Sequence, residues 1–345
     1  ICLVRADSAQ DGLARIRRNM AAYDLWDEGF APRIEALPGD LGRPRLGLSE
    51  TQFKALAQRV DAIYHNGALV NFVYSYREHK APNVLSTAEI LRLAVQERET
   101  PAPVHFISTL TIFHNGQHDK GALFREDADL DQIGVPFGGY AQSKWVGEKL
   151  VLAAIERGLP ATIMRPGLIG GASERGAWNT ADMMSTMAVA CLATGTAPEL
   201  DVNVDIVPVD YVSRAIVTLA NRPDSWGKAF HISNTRPASY RDLTAWAVES
   251  GLPLQMLPFD LWREQLIALA MQLGGESWNP FLPLLEEVTA EQIFMPAIDC
   301  ANTLSGLAAA AQESGAPVLC PPVDARLLAT YLDYFERRGL LSITP

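Results

Sequence analysis

Short unbroken apolar runs alternate along most of the chain with stretches in which apolar residues recur every third or fourth position. Ile1-Cys2-Leu3-Val4 suits a strand buried on both faces, and Asp7 or Ser8 can cap a helix reaching about Tyr23. Further strand candidates lie at residues 34–37, 62–65 and 104–108, with helices from about Glu50 and over about 84–98. A helix near 141–157, stopped by Gly158 and Pro160, precedes a strand at 161–165. The rhythm resumes with a strand at 205–207, a helix near 211–221 and a strand at 229–232. Buried strands alternating with amphipathic helices predict an α/β fold: a doubly wound parallel sheet covered on both faces. Because a buried strand opens the chain, residue 1 reads as mid-fold.

Beyond about residue 235 the pattern turns helical, with Leu-rich and Ala-rich stretches at 261–273 and 327–335 broken by Asn279-Pro280, Pro283 and Pro321-Pro322. A sheet-bearing domain over 1–235 and a smaller, mostly helical lid over 236–345 follow, with 170–204 contributing to the substrate side. At 48% hydrophobic and 20% charged, 345 residues bury a sizeable core, which excludes a disordered chain. No apolar run is long enough to span a bilayer. A net charge of −11 disfavours nucleic acid or an anionic membrane as partner. The four cysteines, Cys2, Cys191, Cys300 and Cys320, form no Cys-x-x-Cys pair, so reduced and mostly packed thiols are expected. With no charged-then-apolar leader, the expected setting is cytoplasmic.

The strongest chemical signal is Gly139-Tyr140-Ala141-Gln142-Ser143-Lys144 at the opening of a helix. A spacing of four places Tyr140 and Lys144 on one face, where an ammonium favours the phenolate and brings proton transfer nearer neutral pH. The pair is weak evidence alone, but it follows a buried strand ending in Ser108-Thr109, on the edge where open α/β sheets bind ligands. Thr109 is the chosen hydrogen-bond donor to a substrate carbonyl, with Ser108 its close rival.

Arg5, at the end of the first strand, meets the adenosine ribose in a dinucleotide fold, and arginine there accommodates a 2′-phosphate; Arg15 approaches from the next turns. NADPH is thereby favoured over NADH. Asn66-Gly67-Ala68 lets backbone approach a cofactor closely, and Asp40-Leu41 lies where an adenine amino group could be met, although a plain turn explains either. Arg165-Pro166-Gly167, with Gly170-Gly171 as a flexible extension, reads as a cleft wall. His114, His118 and Asp119 have a metal-like spacing, but no Glu follows the first His and no metal site is expected. Gly-x-Ser-x-Gly is absent, which leaves a serine hydrolase unsupported.

Together these segments resemble the extended short-chain dehydrogenase/reductases, and within them the terminal thioester reductase domains of nonribosomal peptide and polyketide synthases and the related carboxylic acid reductases. The likeness extends to about residue 285 and rests further on Leu69-Val70-Asn71, Gly176-Ala177-Trp178-Asn179-Thr180 and Val207-Pro208-Val209-Asp210-Tyr211. It implies a Rossmann fold and NADPH-dependent reduction of an acyl or peptidyl thioester on a carrier protein's phosphopantetheine arm, releasing an aldehyde or, after a second round, a primary alcohol. Thr109, Tyr140 and Lys144 would be catalytic. Arg5, Arg15, Asp40, Leu41, Asn66, Gly67, Ala68, Asn83, Ser108, Pro166 and Gly167, with Tyr140 and Lys144, would hold the cofactor. The family also carries a first strand and a Gly-x-x-Gly-x-x-Gly loop ahead of Cys2-Leu3-Val4-Arg5, and residues 1–345 lack that unit. We therefore expect a section of a larger synthase that binds NADPH poorly by itself. The alternatives are another extended reductase such as a nucleotide-sugar epimerase or dehydratase, or a non-redox release or docking domain.

Overall fold

Three neighbouring parallel strands of a four-stranded sheet carry the site. In the computed structural model, which describes residues 1–115, 122–273, 282–287, 293 and 296–341, β3 (Ile63–His65) pairs with β4 (Val104–Ile107), and β4 pairs in turn with strand Ala161–Pro166. Val104, Phe106, Ala161 and Ile163 are fully buried, as strands covered on both faces require. Two histidines interrupt this apolar ladder and each is satisfied: His65 Nε2 lies 3.0 Å from the Thr87 hydroxyl, and His105 Nδ1 lies 2.9 Å from that of Thr162. β1 (Cys2–Val4) pairs in parallel with β2 (Ala36–Pro38) in a separate ladder.

The chain falls into two compact units that interleave in sequence. One comprises Ile1–Ile112, Leu130–Met164 and Asp224–Lys228; the other comprises Phe113–Asp129, Arg165–Pro223 and Ala229–Pro345. In the first unit, α1 (Ala9–Ala22) starts at Ser8, whose hydroxyl accepts the Asp11 amide. The second helix, α2 (Glu50–Arg59), starts with a capping box between Ser49 and Gln52. The helix expected from residue 84 begins earlier. Ser75 and Glu78 box the start of α3 (Tyr76–His79), six residues Lys80–Leu85 follow in π-helical turns, and α4 (Ser86–Val95) completes the rod. Pro82 lies inside the π segment and has no amide hydrogen to give, so the ladder shifts register there.

The second unit has its own core, built from Trp178, Tyr331, Leu332 and Phe335, with Trp178 edge-on to Tyr331 at 4.7 Å. Gly176, at φ +70°, sits where a Cβ would lie 2.3 Å from the Thr330 carbonyl oxygen, so the Gly-Ala-Trp segment is a packing anchor. The single strand expected at 205–207 is instead two short ones, Asn203–Val204 and Val207–Pro208. Asp205 between them turns its carboxylate inward to accept the Ser233 hydroxyl. Gly170 and Gly171 are closely packed: a Cβ would stand 2.5 Å from Ile206 Cγ2 at the first and 2.6 Å from the Gly176 carbonyl oxygen at the second. Helices Phe259–Leu273 and Ala325–Arg337 match the apolar periodicity at 261–273 and 327–335. The break expected at Asn279-Pro280 lies outside the described residues. All four cysteines are free, with Cys300 buried and Cys2 exposed. No described helix is long and apolar enough to cross a membrane.

Candidate active site

The helix Gly139–Ile155 starts hard against the beginning of α3: a Cβ on Gly139 would lie 2.3 Å from the Ser75 carbonyl carbon and 2.4 Å from the Tyr74 carbonyl oxygen. Only glycine permits that approach, and it fixes the next residue, Tyr140. The Tyr140 ring stands edge-on to Phe72 at 5.4 Å and beside the buried ring of His79 at 6.1 Å. One turn on, Lys144 is 3% exposed, with its Nζ 4.1 Å from the centre of the Phe106 ring. Neither the Tyr140 hydroxyl nor the Lys144 ammonium hydrogen-bonds to protein among the described residues.

Burial pushes the Tyr140 phenol up to about 12. It pulls Lys144 down to about 7, overcoming the opposite pull of Glu148 one further turn along. His65 falls to about 3, through burial first and the Lys144 charge second. The expectation of a phenol lowered by its neighbouring ammonium is therefore corrected: in this chain desolvation of the ring dominates. Tyr140 is protonated at neutral pH, the state a proton donor needs, and Lys144 changes charge close to neutrality.

Asn83, in the π segment, ties this helix to the loop after β3. Its Oδ1 accepts the Leu69 amide at 2.7 Å, and its Nδ2 donates to the Leu69 carbonyl and the Ser143 hydroxyl, both at 2.9 Å. Ser143 donates in turn to the Tyr140 carbonyl at 2.7 Å. Asn83 thus has no amide hydrogen left for a cofactor and acts by holding Asn66-Gly67-Ala68-Leu69 in register with Tyr140. At the end of β4, Thr109 Oγ1 accepts the Thr111 amide at 3.2 Å, whereas the buried Ser108 Oγ has no partner among the described residues.

The remaining first-unit residues line the same strand ends. Arg15 Nη1 donates to the Arg5 carbonyl at 3.0 Å, leaving both guanidinium groups exposed beyond β1. A Cβ on Gly67 would lie 2.6 Å from Leu41 Cδ1, so those two loops touch. Asp40 folds onto its own turn, accepting the Gly42 amide at 2.8 Å. Pro166 and Gly167 fall in the second unit, where the Gly167 amide donates to the Ile232 carbonyl at 2.9 Å.

Arg165 is not a cleft wall. It is 1% exposed, donates through Nη1 to the Glu126 carbonyl at 3.1 Å and lies 2.9 Å from His231 Nε2. Phe72, His79, Phe106 and Ser143 escaped the sequence reading; only Ser143, inside the Tyr-x-x-x-Lys segment, carried a local signal. His118 and Asp119 lie outside the described residues, and no described group of three His, Cys, Asp or Glu could hold a metal.

The site suits a nucleotide on chemical grounds: exposed guanidinium groups beyond β1, a loop pressed close at Gly67, and an orphaned hydroxyl on Ser108 at the end of β4. Comparison with known proteins agrees. A family of NAD-binding domains described as male sterility protein matches residues 1–216. One component of the linear gramicidin synthase of Brevibacillus parabrevis is 39% identical over 345 residues, covering 99% of this chain and 7% of that protein. The L-2-aminoadipate reductase large subunit of Penicillium chrysogenum is 31% identical over 359 residues, covering 99% of this chain and 25% of its own length. The chain therefore spans a quarter or less of these two relatives. The crystal structure of the terminal R domain from the myxalamid PKS-NRPS biosynthetic pathway superposes with a TM-score of 0.91 at 42% identity, covering 100% of this chain and 85% of that one.

Proposed function

The chain belongs to the NAD-binding male sterility protein family, and to the terminal R domains of peptide and polyketide synthases within it; from that premise we propose that it reduces a carrier-bound acyl or peptidyl thioester and releases the product as an aldehyde. Further reduction to a primary alcohol is the second stage open to the same site. The observation that carries this reading is the pairing of half-buried Tyr140 and buried Lys144 one turn apart on one helix, with no hydrogen-bond partner for either polar tip among the described residues.

The dinucleotide, when bound, supplies hydride to the thioester carbonyl carbon. The chain's part is to receive the charge that develops on oxygen; the hemithioacetal so formed then collapses, its C–S bond breaking to release the aldehyde and the carrier's pantetheine thiol. Tyr140, protonated at neutral pH, donates its proton to that oxygen, and Thr109 holds the same oxygen with its hydroxyl. Thr109 is suited because its oxygen already accepts the Thr111 amide, which orients the hydroxyl. Lys144, close to its midpoint at neutral pH, stabilises the phenolate that Tyr140 becomes. Asn83 and Ser143 keep Tyr140 aligned with the Asn66–Ala68 loop.

NADPH is the cofactor we favour over NADH, because Arg5 and the anchored Arg15 place two cations beyond β1, where a ribose 2′-phosphate would sit. Residues 1–235 would form the cofactor side, with 170–204 reaching toward substrate, and 236–345 the substrate side. The partner would be a phosphopantetheine-bearing carrier within a larger cytoplasmic synthase, rather than nucleic acid or membrane. The deciding experiment offers an acyl-pantetheine thioester and NADPH to the synthase section containing these residues and identifies the product by mass spectrometry. Aldehyde or alcohol release is expected; turnover of sugar nucleotides instead, or of neither substrate, would overturn the reading.

A further inference from the structure

Two segments beside Tyr140 leave large apolar side chains in solvent. Val70, Val73 and Tyr74 are 58%, 41% and 44% exposed, and Val135 and Phe137 are 61% and 64% exposed. Isolated exposed apolar residues are ordinary, but a cluster at a reactive group marks a binding surface. Neither 69–76 nor 134–140 contains a charged residue. A charged substituent on the reacting carbonyl would therefore find no counter-ion on these segments.

The segments are also held in place. Asn71 Oδ1 accepts the amides of Val73 and Tyr74 at 2.8 and 2.9 Å, and Asn83 clamps Leu69 from both sides. On the other segment, Gln142 Nε2 donates to the Pro136 carbonyl at 3.2 Å, and Gly139 abuts Ser75. The rim is thus preorganised around the Tyr140 ring, which Phe72 meets edge-on. A carbonyl that accepts a proton from Tyr140 must come within a hydrogen bond of its hydroxyl, so the carbons attached to that carbonyl fall on the adjoining surface.

We infer that this rim, with Phe137 and Val73 as its specificity-determining residues, seats the acyl chain of the thioester and selects apolar acyl groups over charged ones. The inference rests on the thioester reading and deepens it by naming the acyl class.

The test is a binding measurement that needs neither cofactor nor turnover: calorimetric titration of the chain with unreactive S-ethyl- and S-octyl-pantetheine. The octyl ether should bind the wild-type chain at least about tenfold more tightly. Phe137→Ser and Val73→Ser, both at exposed positions that folding tolerates, should each remove most of that preference and leave the ethyl ether unchanged. Phe137→Leu should retain most of it. Equal affinity for the two ethers in the wild-type chain, or a preference intact in both serine variants, overturns the rim while leaving the thioester reading in place. Failure of both ethers to bind at all overturns that reading and the rim with it.

Discussion

Two regions of this molecule bury ionisable groups to the same depth and treat them in opposite ways. In the second unit, Glu126 is 3% exposed and its carboxylate accepts the amides of His231, Asn302 and Thr303 and the Thr303 hydroxyl at 2.5–3.2 Å. Those amides include two from the first turn of helix Ala301–Ser314, which has no side-chain cap of its own. Glu126 is therefore a cap supplied from outside the helix. His231 donates through Nδ1 to the Asp299 carbonyl, which leaves Nε2 to accept from Arg165. In the first unit, Lys144 is equally buried, yet it has an aromatic face instead of a hydrogen-bond acceptor, and Tyr140 beside it donates to nothing among the described residues. Burial does not separate the two regions; the supply of partners does. A satisfied buried charge holds a fold together, whereas one left short of partners is waiting for a ligand.

The sharpest way to break this contrast is to remove one polar atom from each region. Tyr140→Phe should lower kcat for thioester reduction by about a hundredfold or more, with the midpoint of chemical denaturation nearly unchanged, because the lost hydroxyl has no partner among the described residues. Glu126→Ala should do the reverse. Removing a buried carboxylate from four donors and leaving them unsatisfied should cost about 3–5 kcal/mol of stability in urea titration. The folded fraction should still bind an S-alkyl pantetheine. A Tyr140→Phe variant that unfolds readily, or a Glu126→Ala variant of undiminished stability, would show that the two regions do not differ in kind.

Asn83 tests the boundary between the classes, because it is fully satisfied but stands beside the site. Asn83→Ala severs three hydrogen bonds and should cost about 2–3 kcal/mol in denaturant titration. It should also lower kcat more than it raises the KM for the thioester, since Leu69 and Ser143 lose their common tether. Loss of stability with an unchanged kcat would make Asn83 structural only.

This pattern also explains what could be read from the chain. That Tyr140 and Lys144 stand one turn apart on one helix was legible because a spacing of four is a local property, and β3, β4 and the helix Gly139–Ile155 were legible from their periodicity. The π-helical turns at Lys80–Leu85 were not, because apolar periodicity runs on into α4 while the ladder shifts beneath it. The environment of Lys144 was equally hidden: that Phe106 and His65, not an acceptor, would surround it depends on strand register and helix packing. The sign of the Tyr140 shift was misread for the same reason, since an i,i+4 spacing reports a neighbouring ammonium and says nothing about desolvation. In the second unit, strands such as Thr196–Glu199 and Gln255–Pro258 are four residues long, contain proline and exist only by pairing with each other. No local signal announces them.

The smallest effect concerns pH and probes Lys144 directly. Burial holds its folded pKa near 7, whereas in the unfolded chain it returns toward the ordinary lysine value of about 10.4. Between those values the unfolded state binds more protons than the folded one, so stability must rise with pH across that window and be lost as pH falls toward 7. The slope from one such group is at most about 1.4 kcal/mol per pH unit, and near pH 7 it is about half that. Urea titrations from pH 7 to 9 should show this rise in the wild-type chain. Lys144→Met, which keeps the apolar stem over Phe106 and deletes the ammonium, should flatten it. Exposed ion pairs such as Lys54 with Glu97 occur in both proteins and cancel in the comparison. A wild-type curve no steeper than that of the methionine variant would mean that Lys144 finds an acceptor in solution, which would remove the contrast with Glu126 at its root.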